Sequence, residues 1–349
     1  MKRVIVLTLA VVFIMSMFVF GIGCKKVAKE VTGEAAEKVI EEVAEETQKE
    51  LVFGYIMPGG EPWYQYAKDG FIFAATENGV KVIEVNSDYD QEKELANIDD
   101  LIIQDVDGIN IFSFNPDGAQ IAAQKANEAG IPLTVEMSAI ADGPGTVVCD
   151  IEFDWTRLGE MHAEYLAEVH PGEKVLEITG IIGQGPIDLM LEGLQRKMEE
   201  LGENELIGIH PADYNREKAM DIMQNMLQSG EEFTVVHVAN EDMALGVIQV
   251  LKDAGKLNNP ISVISNNGSP EGIIAVASGD LESTISTSPG IEGLCCFEAL
   301  YREVIGKSVP KQFMIPMLPI TKDNADEAVA WEVDKAAYEL VKKEFDNME

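Results

Sequence analysis

Asparagines recur where apolar runs give way to helical patterns. Asn240 follows the β-branched run Thr234 to Val238 and precedes Glu241, where apolar and polar residues begin to alternate at helical spacing. Asn115 closes Ile109 to Phe114, Asn266 and Asn267 close Ile261 to Ser265, and Leu51 to Met57 runs into a loop of Pro, Gly and aromatic residues. A carboxamide donates and accepts hydrogen bonds in one plane, which suits non-covalent recognition of a polar ligand. In open α/β folds ligands bind at the carboxyl edge of the sheet, where such residues would stand. Asn is also among the best helix caps, and for Asn240 alone the two roles are equally open. Repetition at several strand ends favours one shared edge.

Signatures of covalent chemistry are missing. There is no G-x-S-x-G elbow, and Gly306-Lys307-Ser308 fails as a phosphate loop because Tyr301 stands at its first glycine position. Gly183-Gln184-Gly185 lies between a strand and a helix, as a dinucleotide loop would, yet Asp188 replaces the third glycine. A tight turn that brings amides and a side chain to a cleft explains it better. With 61 Asp and Glu residues, chance proximity accounts for any carboxylate pair. His162, His170, His210 and His237 have no metal-ligand spacing with one another or with cysteine. No cofactor or metal is expected.

The elements that must position these asparagines form two series. Strands are predicted at Leu51–Met57, Val80–Asn86, Gly108–Phe114, Ile131–Met137 and Thr146–Asp150, with helices near Pro62–Asn78, Gln91–Gln104 and Asp117–Ala129. A helix at Phe153–Glu168 opens the second series. Strands come next at Lys174–Thr179, Leu206–His210, Phe233–Ala239, Ile261–Asn266 and Leu281–Ser286, with helices between them. A helix at Ile291–Ile305, a Pro-interrupted strand run at Phe313–Ile320 and a helix at Ala325–Phe345 complete the chain. Right-handed βαβ crossovers make each sheet parallel with helices on both faces, so two α/β lobes in tandem frame a cleft. Neither lobe has enough elements unless the chain crosses back more than once.

Composition narrows the partners. The chain has 349 residues, 46% of them hydrophobic, enough for two lobes and an appendage. A formal net charge of −35 argues against nucleic acid, which is bound by clustered Lys and Arg that release counterions. At the amino end, Lys2 and Arg3 precede the apolar run Val4 to Phe20 and the small residues before Cys24. This resembles a bacterial lipoprotein signal, which implies cleavage after residue 23 and acylation of Cys24. An uncleaved membrane anchor is the alternative. Both readings put the remainder outside the cytoplasm. Residues 24–50 carry valines and an alanine four apart on a charged background, the pattern of a solvated helical tether or of a helix with a partner. Cys149, Cys295 and Cys296 are odd in number and imply no disulfide framework.

Several stretches together resemble the type I periplasmic binding proteins of the monosaccharide group. They are Asn97 to Ile102 leading to Asp107-Gly108-Ile109, Lys125 to Pro132, Ala212 to Lys218, Asn240 to Gly246, and Asn267 to Gly272, spread over about Leu51 to Thr321. The resemblance implies two Rossmann-like lobes joined by a multi-strand hinge, here 51–150 with 288–314 and 151–287 with 315–349. It implies no catalysis. Its function would be capture of a sugar or polyol by a monomeric lipoprotein, which delivers the ligand to an ABC permease. Presentation of the ligand to a membrane receptor is the alternative, and an extracellular hydrolase is a remoter one.

The same resemblance implies the site. Trp63 and Tyr64 match an aromatic pair that sandwiches the sugar, whose C–H face suits a ring; burial on a helix face is the competing role. Asn115, Asn240 and Asn267 match hydroxyl-binding strand ends, with Asn at 115 and 267 where the family's sugar binders carry Asp, and Arg216, following Tyr214, matches a sugar-binding Arg. Departures fall at Asp188 in place of a second Arg, Thr287 in place of a hinge Gln, Glu136 in place of Asp and Glu61 in place of Asn. An aldose held by an altered hydrogen-bond set, a polyol and an amino sugar are all compatible with these changes.

Overall fold

The computed structural model describes residues 50–113, 115–137 and 140–348. The signal peptide, Cys24 and the tether predicted for 24–50 lie outside the described residues, apart from Glu50 at the tether's end. Residues 51–349 form one compact unit. Among the described residues, no helix is long and apolar enough to cross a membrane.

The first lobe begins with β1 (Val52–Met57), α1 (Pro62–Glu77), β2 (Lys81–Asn86), α2 (Gln91–Ile103), β3 (Gly108–Ile111), α3 (Pro116–Glu128), β4 (Leu133–Glu136) and β5 (Asp150–Glu152). The second holds α4 (Trp155–Val169), β6 (Lys174–Thr179), α5 (Gly185–Leu201), β7 (Glu205–Pro211), α6 (Arg216–Ser229), β8 (Val235–Val238), α7 (Glu241–Asp253), β9 (Ser262–Ser265), α8 (Pro270–Ser278) and β10 (Ser283–Ser286). The chain then returns through α9 (Pro289–Val304) and β11 (Gln312–Met314), crosses to β12 (Leu318–Thr321) and a 3-10 turn (Lys322–Glu327), and ends in α10 (Lys335–Asn347).

Sheet order is β11-β5-β4-β3-β1-β2 in one lobe and β12-β10-β9-β8-β6-β7 in the other. All pairs are parallel except β12, which runs antiparallel to β10. The strands read as continuous apolar runs because both faces are covered. On β1, Phe53 packs on Phe297 of α9 at 5.7 Å, while Ile56 joins Ile98, Leu101 and Ala119 of α2 and α3 on the opposite face. In the second lobe Val175 and Val235 meet Ala163, Leu166 and Leu194 from α4 and α5.

Each lobe uses glycine to bring one helix pair into backbone contact. A Cβ on Gly70 would lie 2.2 Å from the Gly290 carbonyl, and one on Gly293 would lie 1.9 Å from that of Ala67, at the α1–α9 crossing. Gly159 and Gly193 play the same part between α4 and α5, each 2.0 Å from a facing carbonyl by the same measure. No side chain fits at such spacing, so the crossing depends on glycine.

Three boundaries differ from expectation. The strand predicted at Thr146–Asp150 lies at Asp150–Glu152, because Asp154 caps α4 by accepting from the Arg157 amide at 2.8 Å and so fixes where the crossover ends. The run Phe313–Ile320 is two strands in different sheets. The helix predicted over Ala325–Phe345 starts only at Lys335, with Asp334 as its cap. That helix also leaves the lobe to which 315–349 was expected to belong. The Tyr338 hydroxyl donates to Glu298 of α9 at 2.7 Å and accepts from Asn78 after α1 at 2.8 Å, and Phe345 stacks on Phe313 at 4.6 Å. The chain therefore passes between the sheets at 153–155, 287–288 and 315–317, and a fourth time at 328–334.

Candidate functional site

The first lobe brings rings. Pro62 occupies the first turn of α1 directly after the loop from β1, which fixes Trp63 and Tyr64 at the carboxyl edge of the sheet. Tyr64 meets Phe112 edge to face at 4.6 Å and Tyr89 at 6.3 Å. Tyr89, itself at φ 56°, donates its hydroxyl to Glu61 at 2.6 Å. Trp63 packs edge to face on Phe153, at the first crossover, and on Trp331, at the fourth.

The second lobe brings amides and caps. Asn240 Oδ1 accepts from the Met243 amide at 2.9 Å, so Asn240 is the N-cap of α7. Asn215, Ser269 and Ser288 cap α6, α8 and α9 in the same way. The positive ends of these helix dipoles thus meet along the edge, an arrangement that favours oxygen-rich ligands. Asn267 sits at φ 122°, and its Oδ1 accepts from the Asn266 carboxamide at 2.9 Å. Glu241 accepts from the Gly268 and Ser269 amides at 2.8 and 2.5 Å and from the Thr284 hydroxyl at 2.6 Å. Burial pushes its carboxyl up to about 7, against the pull of those hydrogen bonds. Tyr214 lies beside Gly180, where a Cβ would come within 2.5 Å of its ring. Burial raises the Tyr214 phenol, and the Tyr64 phenol raises it further.

At the hinge end, the Asn267 carbonyl accepts from the Thr287 amide at 3.0 Å and from the Trp331 indole at 3.1 Å. Trp331 also touches Trp63, with ring centroids 5.4 Å apart. Trp63, Asn267 and Thr287 therefore converge, and Asn266 ties Asn240's strand end to theirs by donating to the Ala239 carbonyl at 3.1 Å. Trp331 was not anticipated because the predicted helix enclosed it. The capping signal at Asp334, three residues before Ala337, would have placed it in the loop ahead of the helix.

The remaining expected residues have partners within the protein. Glu136 is fully buried inside the first lobe, accepting from Tyr55 at 2.8 Å and Asn110 at 2.9 Å. At the carboxyl end of β4 it shares a face with Thr134 and meets Cys296 of α9. Desolvation pushes its carboxyl up to about 7. Asn115 caps α3 through the Gly118 amide and donates to Gln91, so both ends of its amide are used. Asp188 folds back onto its own loop, accepting from the Gly183 amide at 3.0 Å. Arg216 donates to the carbonyl and carboxylate of Asp242 at 3.0 and 2.6 Å. Two further buried polar atoms, Trp155 Nε1 and Gln184 Oε1, make no hydrogen bond within the protein.

Among the described residues, no group of His, Cys, Asp and Glu is arranged to hold a metal ion. Two open depressions are lined mostly by other residues. One, of about 390 Å³, is lined by Arg216, Met220 and Lys252, and the other, of about 440 Å³, by Asp107, Asn127 and Glu303.

A family model for the periplasmic binding protein domain matches residues 53–308. The chain belongs to that family. It is 30% identical over 266 residues to the ribose import binding protein RbsB of Escherichia coli K12, covering 75% of this chain and 87% of that protein. It is 28% identical over 269 residues to a xylitol-binding protein of Mycolicibacterium smegmatis, covering 75% of this chain and 74% of that one. In three dimensions this periplasmic binding protein resembles an ABC transporter solute-binding protein of Bacillus halodurans with bound myo-inositol. That match has a TM-score of 0.74 at 23% identity, over 80% of this chain and 96% of the other. A solute-binding protein of Actinobacillus succinogenes with bound D-allose gives 0.72 at 18% identity, over 80% and 100%. These two likenesses bear on the fold: two mostly parallel sheets flanked by helices, as expected.

Proposed function

We propose that this binding protein captures a monosaccharide or related polyol between its lobes, outside the cytoplasm, and delivers it to an ABC permease. The observation that supports the reading is the contact of unlike groups through Trp331, which touches Trp63 of one lobe and donates to the Asn267 and Thr287 carbonyls of the other; Tyr64, Tyr214 and Asn240 are placed beside them on this reading. A sugar ring has an apolar C–H face for the aromatic rings and a rim of hydroxyls for the polar groups. Relatives named for ribose and xylitol, and fold neighbours holding myo-inositol and D-allose, support a polyhydroxylated ligand. Ligand touches both walls only when the lobes shut, so binding shifts the population toward the closed form that a permease recognises. Acylated Cys24 would hold the protein at the membrane through the charged stretch after it, and it would act as a monomer. The test is calorimetric titration of the intact chain with pentoses, hexoses, polyols and amino sugars. One-to-one binding of one of these, with a micromolar or tighter Kd, is expected; binding of none of them, with a peptide or nucleobase binding instead, rejects the reading.

A further inference from the structure

We propose that Trp331, beyond the family-matched 53–308, is a positioning residue for ligand capture, coupling the aromatic wall of one lobe to the amide wall of the other. The inference rests on the functional reading above and names a residue that the reading does not require.

The segment 328–333 is laid as a strap along the second crossover. The Val329 amide donates to Ser286 Oγ at 3.1 Å, and Ser288 Oγ donates to the Ala330 carbonyl at 2.7 Å. A Cβ on Gly290 would lie 2.2 Å from the Trp331 carbonyl, so the strap rests on backbone where no side chain fits. Trp331 is 6% exposed. Its indole N–H is shared between the carbonyls of Asn267 and Thr287, at 3.1 Å each, both at strand ends of the second lobe. The ring lies edge to face against Trp63 at 5.4 Å and Tyr66 at 5.3 Å, both on α1 of the first lobe. Tyr66 also reaches Glu332 at 3.4 Å.

One side chain thus holds a fixed polar contact on one wall and a ring contact on the other. If the lobes rotate apart about the crossovers, the indole can follow the carbonyls or the rings, but not both. The closed state alone satisfies both sets, so Trp331 adds a term that ligand-driven closure recovers and opening forfeits.

The experiment compares wild type with Trp331→Phe, which keeps a ring and removes the shared N–H, and with Trp63→Ala, using the sugar or polyol found by titration. Kd, dissociation rate and the ligand-induced change in radius of gyration by X-ray scattering are read for each. Trp331→Phe is expected to raise Kd about tenfold, mostly through faster dissociation, as loss of a shared buried hydrogen bond implies. It should also reduce the compaction on binding, with ligand-free melting within a few degrees of wild type. Ser286→Ala, which loosens the strap at Val329 while leaving the indole, should shift Kd in the same direction by about threefold and decides the matter if Trp331→Phe does not fold. Kd within twofold of wild type in both variants, with Trp63→Ala weakening binding about 100-fold, overturns the proposal and leaves the functional reading standing. A wild-type protein that binds no member of the panel overturns both.

Discussion

The two walls of the crevice are made by different chemistry on the same fold. In the first lobe the loops after β1 and β2 carry rings, Trp63, Tyr64 and Tyr89, which pack edge to face on one another and on Phe112 and Phe153. In the second lobe the corresponding strand ends carry helix caps, Asn215, Asn240 and Ser269, backed by the buried Glu241 clamp. Both lobes have a parallel sheet and a glycine-paired helix crossing, so the fold does not dictate the difference. On the proposed reading, most apolar faces come from one side and most hydrogen-bonding groups from the other, so neither lobe alone would make a site.

The comparison breaks most directly at the rings. Trp63→Ala should weaken ligand binding about 100-fold, near 3 kcal/mol, because a central aromatic with its contacts on Phe153 and Trp331 is lost. Calorimetry reads it, and a loss below about fivefold would move the ligand elsewhere. On the amide wall, Asn240→Ala should cost about tenfold in affinity and also about 1 kcal/mol in denaturant stability, since the same side chain caps α7. Asn240→Asp keeps the cap and separates the two effects: stability near wild type, affinity still reduced.

A third prediction concerns the lobe interior. The Glu136 carboxyl, pushed up to about 7 by burial, holds its proton in the folded chain at pH values where the unfolded chain has lost it. Its contribution to stability is therefore complete below the ordinary carboxylate range and is lost as pH rises through about 7, with a slope of at most about 1.4 kcal/mol per pH unit. Glu136→Gln should flatten that slope in urea denaturation between pH 5 and pH 8, with little change in ligand affinity. An unchanged slope, or a large affinity loss, would return Glu136 to the ligand edge. The smallest effect is expected at Arg216→Ala, within about threefold in Kd, since its guanidinium is committed to Asp242.

How far the sequence could be read depends on what writes each feature. The βαβ order was legible because both-face burial writes continuous apolar strands between capped amphipathic helices, as in Val235–Val238 followed by Asn240. The convergence of Trp63, Asn267 and Thr287 was legible only through the family resemblance, since the hydrogen bonds that unite them run through backbone carbonyls that no side-chain pattern reports. Glu136 shows the limit in the other direction: its strand was correct, but the period-2 alternation sends it to the inner face with Tyr55 and Asn110, and a one-residue offset changes everything about its role. Trp331 and the placement of α10 on the first lobe were hidden by the apparent helical pattern across Ala325–Phe345. Asp334 breaks that pattern, and only the tertiary contacts of Tyr338 and Phe345 decide the lobe.

The central claim is tested most directly by a crystal structure of the intact protein with the sugar or polyol identified by titration. Density for the ligand is expected between the Trp63 and Tyr64 rings on one side and the Asn240 and Asn267 amides on the other. Density in the depression beside Arg216 and Lys252, or in that beside Asp107 and Glu303, with the crevice empty, would contradict it.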